Sequence, residues 1–285
     1  MIVHLLMAHN YPSPNNLVRF IDLLKYEDDL VYVHVDLKFD ISAFKTCLIN
    51  HSNVRFIKNR VKVYWAAYSM VQATVNSFNE IIEEVQEFDY LNLLSAQDYL
   101  LKPIVSFHEF LNTHPGKAFM HCLDVNTEWT EAKSRVSQYH LTNFRFPGKY
   151  QLQKLINFIL PERSMPGNMT AVGRSQWFTI SKKHIAYIVA TFHNQPQLVR
   201  FFKLTWAPDE FVFQTILFNS IYKEDIVNDN MRFIDWSEGN KNPKTFTAKD
   251  VNILLASNQF FARKFDVNVD AEILDLIDQK RNSLV

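Results

Sequence analysis

The first hundred residues alternate short apolar runs with longer amphipathic stretches. "IVHLLMA" (2–8) is a continuous apolar run, as expected of a strand buried on both faces. "PNNLVRFIDLLKY" (14–26) opens with proline and repeats its apolar residues at helical spacing. A second helical pattern covers about 68–85, and three β-rich runs are "LVYVHVD" (30–36), "NVRFI" (53–57) and "YLNLLSA" (90–96). This alternation predicts βαβ units, and therefore an α/β fold whose central sheet is mostly parallel and flanked by helices.

The second half of the chain has a less regular pattern. Residues 124–170 are polar and are predicted to be loops, with "ILPERSMPGNMT" (159–170) the most mobile by its Pro, Gly and Asn content. Beyond them the pattern predicts a strand at "SQWFTI" (175–180) and a helix at "SKKHIAYIVATF" (181–192) with Ser181 as its N-cap. An apolar helix is predicted at "APDEFVFQTILFNS" (207–220). Since no repeat, low-complexity tract or linker occurs, we predict a single domain over 1–285.

Polar residues follow three of the predicted strands. His9 and Asn10 follow the first, Asp36 ends the second, and Asp98 lies in "SAQD" after the last. Because ligands bind beyond the carboxyl ends of parallel strands, these residues predict a nucleotide-type cleft. The chain has only five glycines, and neither a G-x-G-x-x-G loop nor a P-loop can be found in it. NAD, FAD and P-loop chemistry are therefore disfavoured.

The composition is that of an aromatic-rich globular protein, with 47% hydrophobic and 14% aromatic residues. Thirty basic residues balance thirty acidic ones, which argues against a general nucleic-acid or anionic-membrane footprint but leaves room for a local anion site. No apolar run reaches the length of a membrane span, and the N-terminus lacks the features of a signal peptide. We therefore expect a cytoplasmic protein in which Cys47 and Cys122 are reduced and buried.

Glu210 is the first candidate for chemistry, because it follows Trp206 and begins an almost wholly apolar helix. A carboxylate in the first turn of a helix commonly interacts with the helix dipole and caps the helix. At the rim of an aromatic site, however, burial raises the pKa of a carboxylate toward the value that a general base needs. The residues alone leave both interpretations open.

Arg263 and Lys264 are adjacent cations within the phenylalanine-rich stretch "FFARKF" (260–265). They are either a surface pair whose aliphatic stems cover apolar side chains or a fixed anion site. In the second case arginine supplies a planar, bidentate donor and lysine a point charge. Such a pair could neutralise a departing diphosphate without a metal ion.

Metal ligands are poorly placed in this sequence. The nearest approximations to an Asp-x-Asp pair are "DVNVD" (266–270) and "YEDDL" (26–30), and neither follows a central predicted strand. Zinc-ligand spacings are absent as well. The pattern therefore favours chemistry without a metal ion.

Six segments occur in the order and spacing typical of one family. They are "YVHVD" (32–36), "YWAAYSMVQA" (64–73), "YLNLLSAQDYLL" (90–101), "GRSQWFTISKKHIAYI" (173–188), "WAPDEFVFQTI" (206–216) and "FFARKFD" (260–266). They resemble the core-2/I-branching β-1,6-N-acetylglucosaminyltransferases and the peptide O-xylosyltransferases, from residue 2 to about 275. "SAQDYLL", "QWF" and "FFARKF" are slightly closer to the xylosyltransferases. The resemblance implies an inverting glycosyltransferase with a GT-A-type, Rossmann-like fold, a UDP-sugar substrate and no metal or other cofactor.

The resemblance also implies roles for individual residues. Glu210 corresponds to the catalytic base. The basic residues that hold the diphosphate correspond to Arg263 and Lys264, with Lys244 in "GNKNPKTF" an approximate match beside Lys241. Asp36 corresponds to the acid that recognises uracil, and the neighbouring nucleotide-binding positions are Ala8 and His9. The donor-sugar and acceptor region corresponds to Trp65, Asp98, Gln176 and Trp177.

Animal members of the family have a membrane anchor, a stem and several disulfides, and we expect none of these in this chain. It is therefore interpreted as a bacterial, cytoplasmic member that could associate peripherally with a membrane and has no nucleic-acid partner. Residues 1–123 would bind the nucleotide, and 124–285 would carry catalysis and the acceptor. The donor sugar, in the GlcNAc or xylose class, and the glycan or other hydroxyl acceptor are not fixed, because 124–150 do not align firmly. A catalytically inert UDP- or glycan-binding relative, and an unrelated α/β oxidoreductase or hydrolase, remain alternatives.

Overall fold

The computed structural model describes residues 1–9 and 14–282, so Asn10 lies outside the described residues. The first apolar run forms a strand with the predicted bounds, and the three β-rich runs after it form strands within a residue of theirs. The strand predicted at 175–180 begins three residues later, at Phe178. The strands are β1 (Ile2–Ala8), β2 (Leu30–Val35), β3 (Val54–Phe56), β4 (Tyr90–Ser95), β5 (Asp98–Leu100), β6 (Ala118–Phe119), β7 (Cys122–Asp124), β8 (Val172–Arg174), β9 (Phe178–Ser181), β10 (Ile226–Val227), β11 (Arg232–Ile234) and β12 (Phe261–Arg263).

Eleven α-helices occur in the described residues, and the two amphipathic stretches predicted in the first half form two of them. They are α1 (Pro14–Leu23), α2 (Ser42–Cys47), α3 (Ser69–Glu84), α4 (Ile104–Asn112), α5 (Lys133–Ser137), α6 (Lys149–Ile159), α7 (Lys182–Asn194), α8 (Pro196–Phe202), α9 (Val212–Phe218), α10 (Val251–Ala256) and α11 (Glu272–Asn282). Short 3₁₀ turns lie at Thr130–Ala132, Pro166–Asn168, Pro208–Glu210, Lys223–Asp225 and Ala248–Asp250.

Seven strands form the central sheet in the order β10-β6-β9-β4-β1-β2-β3. Six of these run parallel, and β9 runs antiparallel to both of its neighbours. The innermost strands β1 and β4 are buried along their whole length, as their continuous apolar runs require. The predicted α/β fold with a mostly parallel sheet is confirmed.

Two apolar layers cover the sheet, because successive side chains of each strand point to opposite faces. From β1, Val3 and Leu5 pack in the layer formed by α3, α7 and α9. On the other face, Ile2 and Leu6 pack in the layer that holds α1, α4, α10 and α11. The site described below lies between these layers at the carboxyl edge of the parallel strands.

A second sheet of three strands, β11-β12-β5, lies beside the main one. Strand β12 contains Arg263 and runs antiparallel to β5, so that Arg263 pairs in register with Asp98. Side chains of directly opposed residues are neighbours on one face of a sheet. The third sheet consists of two antiparallel strands, β7 and β8, which pair Cys122–Asp124 with Val172–Arg174.

Two predictions for the second half need correction. Residues 124–170 were predicted to be loops but contain α5 and α6. Gln153 and Asn157 of α6 bond to the backbone of Leu141 and Tyr139, so amides take the place of apolar side chains on much of its inner face. Glu210 was predicted in the first turn of an α-helix but ends a separate 3₁₀ turn, because the backbone at Phe211 is not helical. Ser181 does occupy the N-cap position of α7, yet its hydroxyl bonds to the His184 ring at 2.9 Å.

Both cysteines are free, and Cys122 is buried while Cys47 is half-buried. Within residues 1–9 and 14–282, every helix is too short or too polar to cross a bilayer.

Candidate active site

The carboxyl ends of β1, β2 and β4 lie side by side, since β1 pairs in parallel with both other strands. His9 follows β1 and Asp36 follows β2. The backbone N–H of Asp36 donates to the carbonyl oxygen of Ala8 at 2.9 Å, which extends the pairing past the end of the strands. The predicted convergence of polar strand ends is therefore present for His9 and Asp36.

Asp36 is only 2% exposed, and its carboxylate holds the following loop in place. Its Oδ1 accepts the backbone N–H groups of Lys38 at 2.9 Å and Val63 at 3.2 Å. Its Oδ2 lies 3.2 Å from the ammonium nitrogen of Lys38. The carboxylate is thus fixed in direction, with Oδ2 as the oxygen that a ligand donor could share.

Arg263 is held between a carboxylate and an indole ring. Its Nη1 donates to Oδ1 of Asp98 at 3.1 Å, and its guanidinium carbon lies 4.6 Å from the centre of the Trp177 ring. Asp98 is buried and also accepts the N–H of Ser95 at 2.9 Å. Burial raises the pKa of Asp98, and the positive charge of Arg263 opposes that rise. Asp98 therefore positions Arg263 and offers little free carboxylate to a sugar.

Lys264 is half-buried and makes no side-chain hydrogen bond or ion pair within the described residues. The peptide bond between Arg263 and Lys264 is cis. Partial desolvation lowers the pKa of His9, and the nearby charges of Arg263 and Lys264 lower it further, as expected if the three side chains share one site. We call His9, Asp36, Arg263 and Lys264 the cation subsite, after the two positively charged side chains that it contains.

An open groove of about 680 Å³ adjoins Lys264 and contains Lys241. Lys244, the approximate match to a diphosphate-binding residue, is engaged elsewhere. Its ammonium group donates to Oδ1 of Asp250 at 2.7 Å, and the other carboxylate oxygen of Asp250 caps the backbone at Thr247. The groove is lined by Glu238, Asn240, Lys241, Asn242, Pro243, Thr245 and Lys264.

Glu210 lies at the end of the Pro208–Glu210 turn, with 27% of its side chain exposed. Nη1 of Arg135 donates to its Oε2 at 2.5 Å. Burial raises the pKa of Glu210, although the charge of Arg135 opposes the rise. Within the described residues Oε1 accepts no hydrogen bond, so one carboxylate oxygen is fixed while the other stays available.

Arg135 itself is enclosed by aromatic rings. Its guanidinium carbon lies 4.9 Å from the Trp129 ring centre and 4.4 Å from that of Trp206. Trp129 in turn stacks on Phe211, with ring centres 4.9 Å apart. Sequence reasoning did not select Arg135, because no spacing within 124–150 relates it to Glu210. We call Glu210, Arg135, Trp129 and Trp206 the carboxylate subsite.

Trp65 forms an exposed aromatic wall beside this subsite. It is 67% exposed and meets Trp206 edge-on, with ring centres 5.1 Å apart. The residues after the two tryptophans, Ala66 and Ala207, both have left-handed backbones, with φ of 56° and 47°. The N–H of Ala207 donates to the carbonyl oxygen of Ala66 at 3.0 Å. The loop that carries Trp65 is thus fixed to the turn that carries Glu210.

Several buried polar atoms have no partner within the described residues, and two of them belong to Asp209, beside Glu210, and to Gln176, beside Trp177. They are Oδ1 of Asp209 and Nε2 of Gln176. Burial and the adjacent charge of Glu210 raise the pKa of Asp209 to about 7. Because buried polar atoms are normally hydrogen-bonded, these two are candidates to contact a ligand.

The segment Gly173–Trp177 connects the two subsites. At one end, Gly173 packs so closely on the turn that a Cβ there would overlap the carbonyl oxygen of Glu210. At the other end, Trp177 stacks on Arg263. Four residues span at most roughly 14 Å when fully extended. The cation and carboxylate subsites are therefore joined by one short segment, and their anchoring points on it lie within that distance.

Comparison with known proteins gives a family match over most of the chain. A family model described as Core-2/I-Branching enzyme matches residues 2–259 and so ends four residues before Arg263. Xylosyltransferase 2 of Homo sapiens is 26% identical over 305 residues, covering 97% of this chain and 33% of the relative. Xylosyltransferase 1 of Pan troglodytes is 24% identical over 303 residues, covering 97% and 30%. The chain thus spans about a third of the length of these relatives.

Among solved structures, the crystal structure of 4-diphosphocytidyl-2C-methyl-D-erythritol synthase aligns with a TM-score of 0.36 and 10% identity. The alignment covers 66% of this chain and 78% of the other. At that TM-score the alignment adds nothing to the strand pairing described above.

Proposed function

The chain belongs to the Core-2/I-Branching enzyme family, and from this premise we propose that it is an inverting glycosyltransferase. It transfers a sugar of the GlcNAc or xylose class from a UDP-sugar to a hydroxyl group of a glycan or other acceptor. The observation that carries the proposal is the short link between the two subsites through Gly173–Trp177. A carboxylate of raised pKa, Glu210, stands at one end, and the adjacent cations Arg263 and Lys264 stand at the other.

Glu210 acts as the general base in this proposal. In an inverting transfer the acceptor hydroxyl attacks the anomeric carbon while the base removes its proton, and UDP leaves from the opposite face. Arg135 fixes Oε2 of Glu210 by a hydrogen bond, which directs the free Oε1 toward the acceptor. The raised pKa supports this role, because a base transfers protons best when its pKa is near the working pH.

Arg263 and Lys264 stabilise the departing diphosphate. Asp98 and Trp177 orient the guanidinium of Arg263, and Lys264 has an ammonium group without a protein partner among the described residues. Charge-assisted hydrogen bonds from such groups are strong where water is partly excluded. Within this proposal no metal ion is needed, and Asp36 receives the uracil.

The matching experiment is a Glu210→Gln substitution. The amide keeps the shape of the side chain but cannot accept the proton, so turnover should fall by at least ~10²-fold while UDP affinity changes little. Turnover is measured as UDP release with a donor and an acceptor, and UDP affinity by calorimetry. Near wild-type turnover, or an α-linked product, would contradict the assignment. UDP binding without turnover by the wild-type protein, across donors and acceptors, would favour the inert relative.

Metal independence has its own test. Activity should persist in excess EDTA, because the leaving group is neutralised by side chains. If chelation abolishes activity and Mn²⁺ or Mg²⁺ restores it, the metal-free part of the proposal is wrong and the transferase assignment stands.

A further inference from the structure

Helix α6 presents polar side chains to the protein and apolar side chains to solvent. Oδ1 of Asn157 accepts the N–H of Tyr139 at 2.7 Å, and its Nδ2 donates to the carbonyl oxygen of Tyr139 at 2.9 Å. Four residues earlier, Oε1 of Gln153 accepts the N–H of Leu141 at 2.8 Å. Residues four apart lie on one face of a helix, so the face toward the protein carries two amides beside the half-buried Ile156.

The opposite face is exposed and mostly apolar, with Gln151 between Leu155 and Phe158. We define the outer face of α6 by four residues, Leu152, Leu155, Phe158 and Ile159, with exposed fractions of 42%, 53%, 87% and 65%. At about 100° per residue they cover an arc of roughly 120°. The exposed side chains of Phe144, Phe146 and Leu160 lie next to them in the chain. Scattered apolar side chains are ordinary on a protein surface, but a contiguous group marks an interaction site.

The charge around this face has one sign. Residues 144–161 contain Arg145, Lys149 and Lys154 and no acidic residue, although the whole chain is neutral. By helical spacing, Lys149 borders the apolar arc on the side of Leu152 and Lys154 borders it on the side of Phe158. Long basic side chains at the edges of an apolar stripe can extend toward lipid phosphates while their stems remain in the apolar layer.

We propose that α6 is a docking helix for an anionic lipid bilayer, with its outer face inserted among the headgroups and Lys149 and Lys154 paired with lipid phosphates. A second copy of this chain fits less well, because a two-fold contact through the helix would bring the same lysines together without acidic partners. A helix of 11 residues is also only about 16 Å long, which is short for a stable protein interface of roughly 800 Å² per partner.

The docking helix is tied to the mouth of the cleft. The guanidinium of Arg145 lies 3.2 Å from the centre of the Tyr64 ring, and Oδ1 of Asn143 accepts the N–H of Tyr68 at 2.8 Å. In the sequence, Tyr64 and Tyr68 stand on either side of the segment that contains the exposed Trp65. A docked α6 would therefore hold Trp65 near the headgroups, and, if the proposed function is right, the acceptor would be carried by a lipid.

Vesicle flotation of the full chain tests docking without any sugar donor, so its result is independent of the proposed function. Wild-type protein should bind phosphatidylcholine vesicles that contain phosphatidylglycerol and bind pure phosphatidylcholine weakly. The triple variant Leu155→Gln, Phe158→Gln, Ile159→Gln should lose at least ~10-fold in vesicle affinity. Lys149→Gln and Lys154→Gln should each cost roughly 5-fold, and added salt should reproduce that loss.

Ile49→Gln is the matched control, because Ile49 is 78% exposed but stands before Asn50 and His51 rather than in an apolar face. It should bind vesicles like the wild type. Failure of the wild-type protein to float, or equal flotation of the triple variant, would overturn the proposal. So would concentration-dependent dimerisation in sedimentation velocity that the triple variant abolishes, since it would assign the outer face to a second copy.

Discussion

Arg263 and Lys264 are neighbours in the chain, yet their side chains have different surroundings. Asp98 and Trp177 hold Arg263 from two sides, so its orientation is determined before any ligand arrives. Lys264 makes no such contact within the described part of the chain and borders the open groove. An arginine in this setting supplies direction, and a lysine supplies mobile charge.

Replacing Lys264 by alanine should weaken UDP binding by on the order of 1.5–3 kcal/mol, the range for hydrogen bonds to charged groups. Lys244→Ala is the matched comparison, because Lys244 already donates to Asp250. That variant should leave UDP affinity nearly unchanged. Isothermal calorimetry with UDP measures both, and a larger loss for Lys244→Ala would return Lys244 to the diphosphate site.

Asp36→Asn tests the proposed recognition of uracil. The side-chain oxygen can still accept the N–H groups of Lys38 and Val63, so the loop should keep its conformation. The new amide group would face the N3–H donor of uracil with another donor. UDP should then lose its advantage over CDP and GDP in competition binding. A variant that still prefers UDP would remove Asp36 from the base site.

At the scale of elements, β8 and the Pro208–Glu210 turn touch through a residue without a side chain. Gly173 allows this contact, since any Cβ would overlap the Glu210 carbonyl oxygen. The position of the proposed base thus depends on a strand that lies some 35 residues earlier in the chain. The position of Arg263 likewise depends on a distant strand, because the pairing of β12 with β5 places Arg263 opposite Asp98.

Gly173→Ala should displace the turn and lower turnover, and overpacking of this kind costs typically about 1–3 kcal/mol of stability. UDP affinity should change much less, because the cation subsite is built on other strands. Steady-state kinetics, thermal unfolding and UDP calorimetry together make the comparison. Wild-type turnover in Gly173→Ala would show that the close contact has no part in positioning Glu210.

At the scale of the whole molecule, several histidines are held away from water. Burial lowers the pKa of His34 from its ordinary value of 6.5 to about 4, and Nε2 of His34 accepts the N–H of Val61 at 3.2 Å. Between about pH 6.5 and 4, His34 is therefore protonated in the unfolded chain but neutral in the folded chain. The same direction of pKa shift, with burial as the largest cause, holds for His4, His121, His140 and His184.

Stability should consequently fall as the pH is lowered from 6.5 toward 4. For His34 alone the difference between 6.5 and about 4 corresponds to roughly 3 kcal/mol at the acid end of that range. His34→Gln keeps an acceptor for Val61 and removes the titration, so its stability should depend less on pH. Urea unfolding of both proteins at pH 7 and pH 5 checks this, and equal pH dependence in both would exclude His34 as a source.

The sequence by itself determined the sheet and the edge at which the site forms. Continuous apolar runs can be buried only as inner parallel strands, and in parallel strands the residues that follow the carboxyl ends must meet. That is why β1, β2 and β4 could be predicted together with His9 and Asp36 at their ends. The cations Arg263 and Lys264 could also be selected, because their phenylalanine neighbours are visible in the chain.

Only the tertiary structure decided which partners these residues have. Arg135 reaches Glu210 across 75 residues, and Asp98 meets Arg263 through a strand register that periodicity does not encode. Helix α6 was predicted as loop because its amides bond to the backbone of Tyr139 and Leu141 and its mostly apolar face is turned outward. The local sequence pattern indicates which side chains prefer burial. Side-chain pairs such as Arg135 with Glu210 depend on contacts between distant parts of the chain, and those contacts exist only once the layers have packed.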